Sequence, residues 1–178
     1  LVDEDLVSLN ASGFPMVLVH RTPPSSLPIP SVTVENVEIT QRLMEHLIKK
    51  HDRRRILFLR GPIHQEDSNR REAGYKSALE ANGISFDEKL VLNGEFERDV
   101  AYQVMNEFLS NGKRVVFDAV FTGDDDAAIG VLTALHQHGC RIPEDVSVVG
   151  FDDLGFAPFL NPPLTTVHAP TESVGRIA

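Results

Sequence analysis

The sequence predicts an α/β protein built on a parallel, doubly wound sheet, and three observations carry that prediction. Short runs rich in β-branched residues alternate with longer amphipathic segments through most of the chain, an order that covers both faces of a parallel sheet with helices. The amphipathic segments close on turn residues, at Asn82-Gly83, Asn111-Gly112 and Gly139. Residues 139–153 hold the repeating unit in one stretch: Gly139 ends a helix, Pro143 turns the chain, and 146–151 is an apolar, buried strand. That strand stops at Gly150-Phe151-Asp152-Asp153, so two carboxylates stand at its carboxyl end, where open parallel sheets present ligand-binding loops. The same pair could equally serve only to turn the chain.

Taken in order, residues 3–12 are weakly helical and stop at Gly13. Residues 14–19 read as an apolar strand, with Pro15 near its start and His20 at its end. Residues 22–30 hold four of the eleven prolines, which neither a helix interior nor a central strand accepts, so this stretch is a crossover or linker. A brief strand at 31–34 leads to Asn36, which can cap a helix whose Val37, Ile39, Leu43, Leu47 and Ile48 recur near helical spacing. Lys49-Lys50-His51 suit the negative end of its dipole. The spacing then predicts strands at 56–59, 90–92, 115–122 and 164–168. Helices are expected at 69–81, 99–109 and 125–138, the last capped by Asp124 or Asp125, and a final helix begins at 171–178.

A chain of 178 residues suffices for one domain, or one and a fraction, with a real core. Its 26 acids and 17 bases give a formal charge of −9, which supplies no electrostatic reason to hold phosphate backbones or anionic membranes. One cysteine, Cys140, cannot form an internal disulfide and fits a reducing, cytoplasmic setting. The apolar runs fall short of a membrane span, and no signal-peptide pattern occurs. The first residue is Leu1 rather than methionine, so the sequence is expected to start inside a longer protein.

Six motifs in order carry a family resemblance. They are Gly61-Pro62 after a strand, Arg71-Glu-Ala-Gly-Tyr75 on a helix, Gly94-Glu-Phe96 after a short strand, Phe121-Thr-Gly-Asp-Asp125 before a helix, Arg141-Ile-Pro-Glu-Asp-Val-Ser-Val-Val-Gly-Phe-Asp152, and Pro163-Leu-Thr-Thr-Val167. Together they resemble the effector-binding region of the lac repressor/galactose repressor family of bacterial transcription regulators. The resemblance spans residue 14 to the end. It implies a fold of the periplasmic-binding-protein type, two similar α/β subdomains with a small-molecule effector in the cleft between them. On that scheme residues 1–21 and 164–178 are pieces of the N-terminal subdomain and 22–163 form the C-terminal one. The helix-turn-helix headpiece that would contact operator DNA lies outside this sequence.

The resemblance also nominates residues. Arg71 is expected in the first turn of its helix, where the dipole opposes a positive charge; the family places here an arginine that forks onto effector oxygens, a bidentate task that suits a guanidinium. Asp152 matches the acid that accepts hydrogen bonds from sugar hydroxyls. Asp124 matches a position often Asn or Asp, with capping of the next helix as the competing role. Phe96 matches an aromatic laid against the effector, or else is a core side chain. Gln65 and Asp67 lie in a loop that varies with the effector. His20 departs from the usual Asp or Asn and replaces an acceptor with a titratable group. A second departure is Asp52-Arg53 where the family often has Gly-His, within a basic run from Lys49 to Arg55 that reads as a solvated face.

Three functions compete on the sequence. One is the effector-sensing, dimerising part of a cytoplasmic regulator, binding a sugar or other small polar ligand without catalysis, cofactor or metal. A second is a periplasmic sugar-binding protein for transport. A third is a metal-dependent hydrolase or phosphotransferase using Asp124, Asp125 and Asp126 with Asp152 and Asp153, for which no phosphate-cradling glycine loop or placed nucleophile is present.

Overall fold

A computed structural model describes residues 2–110 and 117–178, and these divide into two compact units, 2–35 with 170–178, and 36–169. In the smaller unit, α1 (Asp3–Ala11) ends at Ser12 and Gly13, whose φ of 73° is the left-handed turn glycine allows. β1 (Leu18–Val19) runs parallel to β2 (Ser31–Val32), and α6 (Thr171–Ile177) completes the unit, which buries Leu6, Ile29, Val34 and Val174. The strand expected over 14–19 is reduced to its last two residues. Phe14 is exposed, with its N–H donating to Leu9 O at 3.2 Å as part of the helix stop, and Pro15 has no N–H to give a ladder.

The larger unit is an all-parallel five-stranded sheet in the order β4-β3-β5-β6-β7: β3 Ile56–Arg60, β4 Val91–Asn93, β5 Ala119–Thr122, β6 Ser147–Phe151 and β7 Thr165–Val167. Period-two alternation divides the side chains between two cores. Ile56, Phe58, Ala119, Phe121, Val149 and Phe151 face one side, with α2 (Asn36–Glu45) and α3 (Glu66–Ala81) over them. Leu57, Leu59, Val120 and Val148 face the other, under α4 (Arg98–Ser110) and α5 (Asp125–Gln137). Tyr75 is buried in the first core because its hydroxyl reaches Ile56 O at 2.9 Å, and its ring stacks on Phe58.

Boundaries moved where tertiary partners decided them. α3 begins at Glu66 rather than 69, with Glu66 and Asp67 in the first turn where acids suit the dipole. α2 does not end as an α-helix but runs on into a π-helical turn, His46–Lys50. β7 pairs with β6, Val149 to Phe151 against Thr165 to Val167, which ties residues 165–167 to the larger sheet. The compact units part at 35/36 and 169/170. β5 starts at Ala119; residues 115–116 and the expected helix stop Asn111-Gly112 lie outside the described residues.

Candidate functional site

The carboxyl ends of β3, β4, β5 and β6 place Gly61, Gly94, Gly123 with Asp124, and Asp152 along one rim of the sheet, and α3 directs Arg71 into it. Since α3 starts at Glu66, Arg71 lies in the second turn, and the dipole opposition expected for a first-turn arginine does not apply. What holds it is burial with partners: Arg71 is 5% exposed. Its Nε donates to Asn36 Oδ1 at 2.9 Å, Nη1 donates to Gly123 O, and Nη2 donates to Asp152 Oδ1 at 3.3 Å. The guanidinium carbon lies 3.7 Å from the centroid of Phe151 and 5.4 Å from that of Phe96. Burial lowers its pKa, and the charges of Asp152, Asp67 and Asp124 oppose that effect.

Asn36 completes a relay, because its Nδ2 donates to Asp67 Oδ1 at 2.8 Å while its Oδ1 receives Arg71. Asp124 caps α5 through Ala127 N at 3.0 Å and is buried; that burial pushes its carboxyl up to about 6 against the lowering effect of the cap. Phe96 is half-buried with φ 60°, and its ring fills the space over Gly61 and Gly123. A Cβ on Gly123 would come within 2.6 Å of that ring, so glycine is needed for the ring to lie there. Asp152 has φ 107°, a conformation that costs a non-glycine residue about 1–3 kcal/mol and marks a position held by its surroundings.

Arg71, Asp67, Asp152, Asp124 and Phe96 thus meet at one rim. Gln65 is exposed at the residue before α3, with φ −89° and ψ 130°. His20 belongs to the smaller unit, where its N–H donates to Val32 O at 3.0 Å and its φ is 57°. Two residues at the rim carry no signal of a site in the sequence: Asn36, whose local pattern predicts only a helix cap, and Phe151, whose pattern predicts strand core. A polar residue at 0% exposure is the signal that distinguishes Asn36, and only the fold supplies it.

The remaining carboxylates are engaged by the protein rather than gathered around a vacant point. Asp125 is 0% exposed and accepts from Leu154 N at 2.8 Å and Thr166 Oγ1 at 2.6 Å; Asp126 pairs with Arg98 at 2.7 Å and Asp153 with His168 at 2.9 Å. Among the described residues no three metal-ligating side chains stand together, and no helix is long and apolar enough to cross a membrane. Chemically the rim is one guanidinium facing three carboxylates with two aromatic faces. Such a surface accepts hydrogen bonds from neutral, hydroxyl-rich molecules and repels a large anion.

The sequence matches the periplasmic binding protein-like domain family over residues 44–178. It is 36% identical to the ribose operon repressor of Escherichia coli (strain K12) over 124 residues, 70% of this chain and 37% of that protein. It is 37% identical to the HTH-type transcriptional regulator CelR of Thermobifida fusca over 175 residues, 94% of this chain and 49% of that protein. The structure superposes on an Escherichia coli sugar-binding LacI-family regulator complexed with phosphate at a TM-score of 0.86 and 32% identity, covering 99% of this chain and 63% of that one. It superposes on a CelR–cellobiose complex at 0.84 and 36%, covering 95% and 51%. The chain spans about half, or less, of the length of these two curated relatives.

Proposed function

Because the chain belongs to the periplasmic binding protein-like domain family, and within it to the lac repressor/galactose repressor group, we propose that it is the effector-sensing part of a transcription regulator. The observation that carries this reading is the buried Arg71, stacked on Phe151 and fixed by Asn36, Gly123 and Asp152 at the carboxyl rim of a parallel sheet. Asp152 and Asp67 supply acceptors for hydroxyls, Arg71 supplies a cation beside them, and Phe96 offers an apolar face to a sugar ring. Names among the relatives mention ribose and cellobiose, and the ligand proposed here is likewise a neutral sugar or related polyol. The part has no catalytic step; it acts in the cytoplasm, as a homodimer, and operator contact is assigned to a helix-turn-helix outside these residues. A ligand that binds one conformation of the regulator more tightly biases its DNA-binding state by that difference in affinity.

A thermal-shift screen of the full chain with ribose, galactose, cellobiose, nucleosides and sugar phosphates tests the reading. A ligand at a hundred times its dissociation constant stabilises the fold by about 2.7 kcal/mol, a readily measured shift. Stabilisation by neutral sugars supports the proposal. Stabilisation confined to the phosphorylated compounds, or none by any member of the screen, overturns it.

A further inference from the structure

The opposite end of the larger unit holds a pair of histidines that the effector site does not use. His46 Nε2 and His51 Nε2 lie 3.1 Å apart, with the rings edge to face and their centroids 4.7 Å apart. Residues five apart on an α-helix point about 140° away from one another. Here the segment His46–Lys50 is a π-helical turn, whose wider i→i+5 closure brings the two rings to the same side. Such single turns concentrate at functional sites. Both imidazoles are exposed and border a cavity of about 330 Å³ lined also by Arg53, Glu144, Ser147 and Thr165. That cavity lies at the amino end of β6, while Asp152 follows its carboxyl end.

We propose that His46 and His51 form a two-histidine site for a borderline divalent transition metal such as Zn²⁺, Ni²⁺ or Cu²⁺. At a metal–nitrogen distance of about 2.0–2.1 Å, two ligands at a right angle stand about 2.9 Å apart and two at a tetrahedral angle about 3.4 Å apart. The observed 3.1 Å falls between them. Imidazole suits these metals and not Mg²⁺ or Ca²⁺, which take oxygen ligands. The open cavity leaves the other coordination positions to water or to a small ligand. Arg53 does not present its head to the metal, since Nη2 donates to Pro143 O at 2.6 Å and Nε to Ser147 Oγ at 3.0 Å. Its positive charge nevertheless lowers the affinity of the site, as does the presence of only two protein ligands.

Isothermal titration of the tag-free full chain with NiCl₂ and ZnCl₂, and electron paramagnetic resonance with one equivalent of CuCl₂, test this. The expected result is one equivalent bound with two-nitrogen coordination of Cu²⁺. His46→Gln and His51→Gln should each weaken binding, since losing a direct ligand costs at least the roughly tenfold that loss of an outer-shell partner does. Both substitutions are on exposed side chains, and the double variant keeps the other five of the seven histidines as an internal control. Equal affinity in wild type and double variant, or no binding by wild type, overturns the site and leaves the pair as a hydrogen bond between two rings.

Discussion

The guanidinium of Arg71 lies over the ring of Phe151, 3.7 Å from its centroid, one residue before the acid it also pairs with, Asp152. This contact fixes the plane of the cation, so Nη2 is aimed at Asp152 and Nε at Asn36 without a search through rotamers. It also ties the end of β6 to α3 through a desolvated charge, and a pair of that kind is costly to leave half-made.

Arg71→Ala should therefore do two separable things. It removes the hydrogen bonds that Arg71 donates to Asp152, Asn36 and Gly123 O and destabilises the fold by about 3 kcal/mol, moderated by the partial exposure of Asp152. It also removes effector binding, and Arg71→Lys does not restore it, because an ammonium cannot fork onto two acceptors or stack on Phe151. Urea denaturation reads the first effect and titration calorimetry the second. An unchanged effector affinity in a folded variant would take Arg71 out of the site.

Asp124 should make stability fall with rising pH over a range where most carboxylates make it rise. Burial lifts its folded pKa to about 6, above the unfolded value of about 3.9, so the folded state holds the proton more tightly. Its contribution is present below about pH 4 and is lost as pH climbs through about 6, at up to about 1.4 kcal/mol per pH unit. Asp124→Asn keeps a cap acceptor for Ala127 N and removes the charge. The variant should be more stable than wild type at pH 8 by about 2 kcal/mol and lose that advantage toward pH 4. Parallel stability curves for the two proteins across pH 4–8 would show that Asp124 is not the titrating group.

Gly123→Ala should act on the site through Phe96. The added methyl meets the ring at 2.6 Å, and because Leu59 O stands at 3.2 Å on another side, it is the ring that must move. Overpacking of this kind costs about 1–3 kcal/mol. Effector affinity should drop as well, while Phe96→Leu in the same background recovers stability but not affinity. Equal affinity for the wild type and Gly123→Ala would mean that Phe96 does not touch the ligand.

The α/β class and the order of strands and helices were legible in the sequence because hydrophobic period and turn residues are local signals that survive without knowledge of the fold, and the family was legible in six motifs that occur in order. The family resemblance nominated Arg71, Asp152, Asp124, Phe96, Asp67, Gln65 and His20; the first five lie along one rim, Gln65 is exposed before α3, and His20 belongs to the smaller unit. What each of them touches follows from the packing of elements far apart in the chain. The partners of Arg71 are 35, 52 and 81 residues away along the chain, and no local pattern encodes contacts of that separation. For the same reason Asn36 read as a cap until α3 was packed against α2, and β7 joined the larger sheet once its pairing with β6 was formed. The register of His46 and His51 likewise depends on a π-helical turn, His46–Lys50, in which Leu47 and Ile48 are both buried in the core.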